Sequence, residues 1–264
     1  MILKDNLISY FAKLELDGIK LTDGQKLWYA SKYEVMKEDM LREYPSTPDE
    51  AFFASQEAYW YAVQMKELYD KGQITNVSYD KALPVHTAWD LGQADYTAIW
   101  FFQIMRSGDL NIIDYFQRSD CPIDLISSIL KEKKYTYGSH IWPHDANSRD
   151  RAGITFAMQA RPFGLGGIIL DQHNLRDGIN MVRSTLSKCW FDSKKCHEGI
   201  VCLENYKKSW SSSIGGFTDQ PVHDQYSHGA DAFRYLSAGY EKIKNSGSSM
   251  ENDYKALQKY WGLG

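Results

Sequence analysis

Three aspartates stand where a carboxylate can be held rigidly and still reach solvent or a cation: Asp90, Asp145 and Asp231. Asp90 closes a run rich in apolar and β-branched residues, Val85 to Trp89, just before a break at Gly92. Asp145 closes a second β-type run, SHIWPHDA, and is followed by a polar, arginine-containing segment. Asp231 belongs to a late helix in PVHDQYSHGADAFRYLSAGYEKI, whether that helix begins near Asp224 or near Ser227. A single aspartate at a strand corner is more often a turn residue. In an α/β sheet, however, the ends of neighbouring strands share one rim, and a helix packed over that rim can deliver a third carboxylate. Oxygen donors without nearby cysteine or histidine pairs suit Mg²⁺ or Mn²⁺ rather than zinc, and such ions polarise phosphate and activate water.

Several neighbours are candidates for auxiliary roles. Asp95 follows Asp90 by five residues, as a turn residue or an outer acid. Asp224, His228 and Asp231 fall on one face if the helix already includes Asp224. His228 then either orients a metal site or is a surface or capping residue. His144 sits beside Asp145, and strand alternation would turn it to the opposite sheet face, into packing. Arg149 and Arg151 directly follow the Asp145 strand end, where a phosphate would arrive, which makes them the DNA-contact candidates. Lysines 131, 133, 134, 188, 194 and 195 read as solvated faces, and Trp89 and Trp142 as core aromatics under the site.

The elements that must position these groups are legible as patterns. Residues 1–80 read as helical: Thr22 and Gln25 form a capping box, the helix runs to a stop at Pro45, Thr47 and Pro48 open a short second helix, and Ser55 opens a third that ends at Gly72. Tyr59, Val63 and Leu68 mark an apolar stripe on that third helix. From about residue 83 the period changes. Runs at Val85 to Leu91, Thr97 to Met105 and Leu110 to Phe116 make an antiparallel meander, with Ser107, Gly108 and Asp109 as its second turn. Pro122 opens an amphipathic helix, and Arg149 to Ala160 and Leu175 to Phe191 read as further helices around a short strand, Ile168 to Leu170. Ser209 to Gly216 reads as a polar loop, and 245–264 as a flexible tail with a terminal helix.

Composition narrows the class. A chain of 264 residues with 43% hydrophobic content can bury a sizeable core, and no apolar run approaches a membrane span. Charges interrupt the N-terminal stretch, so it does not read as a secretory signal, and a cytosolic location is expected. The four cysteines form no CxxC pair and read as free thiols. A net charge of -4 excludes DNA binding by bulk positive charge but permits a local basic groove beside an acidic cluster.

Four strings in one order carry a specific resemblance: EYPSTPDEAF at 43–52, WDLGQADYTAIW at 89–100, WPHDA at 142–146 and SHGADAFRY at 227–235. With them the chain resembles the C-terminal nuclease domain of a tailed-bacteriophage large terminase, of RNase H-like fold. The resemblance implies a central mixed sheet flanked by helices over 81–244, preceded by a helical linker at 1–80 that follows an ATPase domain. It also implies that Asp90, Asp145 and Asp231 hold metal, one or two Mg²⁺ or Mn²⁺ ions. The implied activity is two-metal-ion hydrolysis of concatemeric phage DNA to 5′-phosphate and 3′-hydroxyl ends. Implied partners are double-stranded DNA, the ATPase domain, the small terminase subunit and the portal, in the cytoplasm of an infected bacterial host. No glycine is followed directly by lysine, so the GxxxxGK[ST] loop that cradles ATP phosphates is missing from this chain. Two other readings remain open: a non-catalytic docking module of the packaging motor with a structural metal, or another RNase H-like nuclease such as an integrase or junction resolvase.

Overall fold

Thr22 and Gln25 make the reciprocal bonds of a capping box: the Thr22 amide donates to Gln25 Oε1 at 2.9 Å and the Gln25 amide to Thr22 Oγ1 at 3.3 Å. They start α2 (Asp23–Met36), which follows α1 (Asp5–Leu16). Apolar residues of α1 at helical spacing, Leu7, Phe11 and Leu14, bury against Tyr29 and Ala30 of α2 and Met40 of the short α3 (Met40–Glu43). Residues 37–39 of the helix expected to run to Pro45 lie outside the described residues, and its described part ends just before that proline. The computed structural model describes residues 5–36, 40–48, 58–92, 95–149, 152–172, 174–211, 213 and 216–243. The expected helix from Thr47, the start of the third helix at Ser55, and the 245–264 tail lie mostly or wholly outside these residues.

Two compact units divide the chain, Met1–Trp60 with Lys207–Gln220, and Tyr61–Tyr206 with Pro221–Gly264. By compactness the first break falls at Trp60. The smaller unit also holds a hairpin, β8 (Lys208–Ser211) with β9 (Gly216–Pro221), where a polar loop was expected. Trp210 and Phe217 pack edge to face across it, a cross-strand contact that steadies so short a pair.

In the larger unit α4 (Ala62–Asp70) ends at Gly72, whose φ of +66° suits glycine. Its buried side is Met65 and Leu68; Val63, expected in the stripe, is exposed. Then come β1 (Ile74–Thr75), the meander β2 (Val85–Asp90), β3 (Tyr96–Ile104) and β4 (Leu110–Ser119), and α5 (Ile123–Glu132). After β5 (Tyr137–Trp142) follow α6 (Phe156–Ala160), β6 (Gly167–Ile169), α7 (Leu175–Leu186), β7 (Cys189–Asp192), α8 (His197–Asn205) and a last helix, α9, at 227–243. The seven strands lie in the order β1-β7-β4-β3-β2-β5-β6. The meander is antiparallel and every other neighbour pair parallel, a mixed sheet as expected.

Two segments read as helical are not wholly so. Arg149 forms an isolated bridge with Thr155, and among the described residues of this segment Phe156–Ala160 is the α-helical part, its first turn capped by Thr155 Oγ1 accepting from the Met158 amide at 3.1 Å. The helix from Leu175 stops at Leu186, and Cys189–Asp192 instead pairs in parallel with β4 and β1.

β2 sits between β3 and β5 and is buried on both faces, which explains its near-continuous apolar run. Alternation sends Trp89 to one face, into a cluster with Ile99, Ile126, Leu130 and Trp142. Asp90 points to the other, where α9 packs: Trp100 Nε1 donates to the Gly229 carbonyl at 2.8 Å, and its ring meets Phe233 edge-on. A Cβ on Gly229 would lie 2.5 Å from the Tyr115 hydroxyl and 2.7 Å from Cys202 Cβ. Gly229→Ala is therefore expected to push α9 off the sheet and cost about 1–3 kcal/mol, read as a lowered midpoint in urea unfolding.

Candidate functional site

Asp90 is the last residue of β2 and pairs with Ala98 of β3. Its backbone is locked in the sheet while its side chain, 20% exposed, opens toward α9. There His228 Nδ1 donates to Asp90 Oδ2 at 3.1 Å. Burial pushes the Asp90 carboxyl up to about 6 against the opposing pull of the His228 hydrogen bond, and the charges of Asp231 and Asp145 push it the same way as burial.

Asp231 lies on α9, three residues past His228, so both face the end of β2. Its Oδ1 accepts from the Tyr206 hydroxyl at 3.0 Å and pairs with Arg234 Nη2 at 3.1 Å. Burial raises its carboxyl, while Arg234 and Tyr206 pull it back. Arg234 Nε is buried and has no hydrogen-bond partner among the described residues. The tyrosine one turn further on, Tyr235, has its hydroxyl pushed well up, first by burial and then by the charges of Asp90, Asp231 and Asp145.

Asp145 is not on a strand. Pro143 has no amide hydrogen to continue the ladder, and Asp145 falls in a 3₁₀ turn, His144–Asn147, just beyond β5. Because β5 is the parallel neighbour of β2, this turn still emerges at the Asp90 end of the sheet. Asp145 is exposed, and so is His144, which alternation had assigned to packing. All three candidate ligands thus reach one rim, two partly withdrawn from water and one at its edge.

The auxiliary residues separate. Asp224 precedes α9, which begins at residue 227, so it does not share a helical face with His228; its Oδ1 accepts from the Tyr226 amide at 3.0 Å in a turn that starts the helix. A Cβ on Gly92 would come within 2.5 Å of the Tyr96 carbonyl oxygen and 2.7 Å of the Asp95 carbonyl, so glycine is what permits the close approach of Asp95 to the end of β2. The Tyr96 amide donates to Asp95 Oδ1 at 2.8 Å and holds the carboxyl below its ordinary range, with His228 and His223 adding to the effect. Asp95 Oδ2 lies 3.1 Å from His228 Nε2 and 3.1 Å from His223 Nε2. His228 therefore spans Asp90 and Asp95, and those acids raise its imidazole, the Asp90 hydrogen bond most.

Beside the 3₁₀ turn runs a groove lined by Asn147, Arg149, Thr155, Met158 and Arg161. A second depression reaches Asp145 itself, with Leu91, Gly92, Ser148 and Gln159 around it. Arg151 lies outside the described residues.

His223, Tyr206, Arg234 and Arg161 were not singled out from the sequence. Arg234 was detectable as the i,i+3 partner of Asp231. His223 and Tyr206 carry no local signal, since their partners lie 128 and 25 residues away.

No protein-family profile and no curated protein matches the chain. Solved structures do. The large terminase of a thermophilic bacteriophage, in one crystal form, is similar at 16% identity and TM-score 0.52, over 79% of this chain and 58% of that one. In another crystal form of the same terminase the values are 16% and 0.51, over 66% and 44%. The P22 large terminase nuclease domain is similar at 16% identity and TM-score 0.49, over 66% of this chain and 89% of that one. The chain thus spans 44–58% of the thermophilic phage terminase's length. At this identity the likeness establishes the fold: the seven-stranded mixed sheet is RNase H-like, as in large terminases and as the four strings implied.

Proposed function

We propose that the chain is the nuclease part of a bacteriophage large terminase, a divalent-metal-dependent endonuclease that cuts concatemeric DNA during packaging. The observation that carries this reading is the convergence of Asp90, Asp145 and Asp231 on one rim, strongly enough that Asp231 and Asp145 help burial hold the Asp90 proton up to about 6. Clustered carboxylates partly removed from water are unfavourable without a cation, and a set of oxygen donors fits Mg²⁺ or Mn²⁺. In this reading Asp90, Asp145 and Asp231 would hold the metal between them. When bound, the ions would activate water as hydroxide and stabilise the leaving 3′ oxygen.

The chain's own residues supply the rest. The His228 Nδ1–H aims Asp90, Tyr206 and Arg234 orient Asp231 and favour its ionised form against burial, and the groove with Arg149 and Arg161 offers charge to the DNA backbone without reading bases. Its complete motor would include an ATPase domain, a small subunit and a portal, acting in the cytoplasm of an infected bacterium. This chain itself is expected to turn over no ATP, since it lacks the phosphate-cradling loop.

Plasmid incubated with purified chain tests the reading. Nicked and linear products are expected with Mg²⁺ or Mn²⁺, with 5′-phosphate ends and little sequence preference, and none in EDTA. Cutting that persists in EDTA would overturn the metal mechanism, and no cutting under any metal would favour a docking module. Arg149→Ala is expected to weaken DNA binding at unchanged metal affinity and to reduce the salt slope of binding by about one. An unaltered slope returns Arg149 to an ordinary solvated surface.

A further inference from the structure

Beside the three aspartates is a second constellation with different donor chemistry. Among the described residues, Asp95, His223 and His228 bring one ligand atom each within 4.8 Å of one another. Both histidine Nε2 atoms meet the same oxygen, Asp95 Oδ2, at 3.1 Å. The rings stand at 75° with centroids 5.1 Å apart, so their nitrogens approach from different directions.

Hydrogen-bond direction decides which ring nitrogens carry protons. An ionised carboxylate only accepts, so His228 Nδ1, 3.1 Å from Asp90 Oδ2, is a donor. Ser227 Oγ donates to the Asp224 carbonyl at 2.7 Å, which commits its hydrogen; its oxygen then accepts from His223 Nδ1 at 3.2 Å. With each Nδ1 carrying a proton, a ring without a second proton offers its Nε2 lone pair on the Asp95 Oδ2 side. A ring that carries both protons donates there instead, so a cation and a second proton compete for one place between three donor atoms.

We infer that Asp95, His223 and His228 form a binding site for a zinc-class divalent ion, separate from the carboxylate site and joined to it through the His228 ring. Two imidazole nitrogens and one carboxylate oxygen are the donor set of open zinc sites, with a further position left for water or a substrate oxygen. Imidazole suits Zn²⁺ and Co²⁺ and is a poor ligand for Mg²⁺. The spacing is right: metal–ligand bonds of about 2.0–2.1 Å in tetrahedral geometry put ligand atoms about 3.3 Å apart, close to the two observed separations. His228 Nδ1–H on a carboxylate, with Nε2 turned to Asp95, is the arrangement that fixes tautomer and ring orientation in metal-ligating histidines. His223 is 75% exposed, so an ion enters from solvent without unfolding anything.

The site does not depend on the nuclease reading, and its test uses metal uptake, not cleavage. Metal-free chain is titrated calorimetrically with Zn²⁺ in excess Mg²⁺, and separately with Co²⁺ while visible absorption is followed. One equivalent of Zn²⁺ is expected to bind over the Mg²⁺ background, and Co²⁺ to give the intense d–d bands of a low-coordinate nitrogen–oxygen site. His223→Ala, at an exposed position that tolerates truncation, is expected to weaken Zn²⁺ uptake at least about 100-fold and to remove those bands, while Asp145→Asn leaves both unchanged. Zn²⁺ uptake that is missing in the parent, equal in His223→Ala, or lost in Asp145→Asn would overturn the assignment. Cleavage by the same preparations in Mg²⁺ alone reports on the carboxylate site independently.

Discussion

Asp90→Asn is expected to abolish plasmid cleavage and, in metal-free protein at pH 8, to raise the melting temperature. A neutral amide is a poor ligand for a hard divalent ion, and at this position it would remove the donor fixed most rigidly by the sheet. The stability effect comes from the same charge. The Asp90 carboxyl is raised from 3.8 to about 6 in the folded chain, so the folded state holds its proton more tightly than the unfolded one. Ionisation then costs stability progressively as pH rises from about 4 to 6, and the full cost, on the order of 1–3 kcal/mol, persists above that range. His228 has its own pH dependence: its raised imidazole adds stability that is full below its unfolded value and lost as pH rises through the folded one. That offset fades as pH rises, and Asn relieves the Asp90 cost. The gain should shrink toward pH 4, where the parent carboxyl is already neutral. Melting curves at both pH values and cleavage rates with Mn²⁺ are the measurements. Asp145→Asn and Asp231→Asn share the loss of cleavage, whereas Asp95→Asn and Asp224→Asn are expected to lose about 10–100-fold. Parent-like cleavage by Asp145→Asn, or a dead Asp224→Asn beside an active Asp231→Asn, would mean that the ligand set is a different one.

Arg234→Ala is expected to destabilise the protein by about 3 kcal/mol, because it strands the Asp231 carboxylate in a half-buried position with only the Tyr206 hydroxyl to hold it. Burial already drives the Asp231 proton up, and Arg234 is the strongest influence holding it down. Without the guanidinium the carboxyl shifts further toward its neutral form, a weaker metal ligand, so cleavage should fall with stability and recover in part at higher pH. In the double variant Arg234→Ala, Asp231→Asn there is no charge left to strand. It should regain much of the lost stability and none of the activity, and chemical denaturation of the four members of the cycle gives the coupling directly. If Arg234→Ala unfolds at the parent's midpoint, the pair is a surface ion pair of no consequence.

Much of the architecture was legible because it is local. The Thr22–Gln25 capping box needs two side chains three residues apart, and the meander needs period-two runs separated by short turns; both were read at nearly their observed bounds. The strand Cys189–Asp192 was not, because four residues following a helix carry no period of their own, and what holds them extended is pairing with β4 and β1, distant in sequence. Val63 fitted an apolar stripe by spacing, yet the face of α4 that is buried is the one carrying Met65 and Leu68. Spacing defines a helix face; only packing selects which face is covered.

The candidate site divides the same way. Residue type and local context by themselves determined that Asp90 ends an apolar strand, that Asp231 rides a late helix beside His228, and that this donor chemistry is oxygen-based. Tertiary structure alone decided that β5 lies next to β2, so that Asp145 surfaces at the Asp90 rim although Pro143 had already ended its strand. It alone brought His223 onto Asp95 and Tyr206 onto Asp231. Strand order and helix docking are long-range contacts, set by the burial of both faces of the sheet at once, and no window of sequence around one residue contains the others that it will meet.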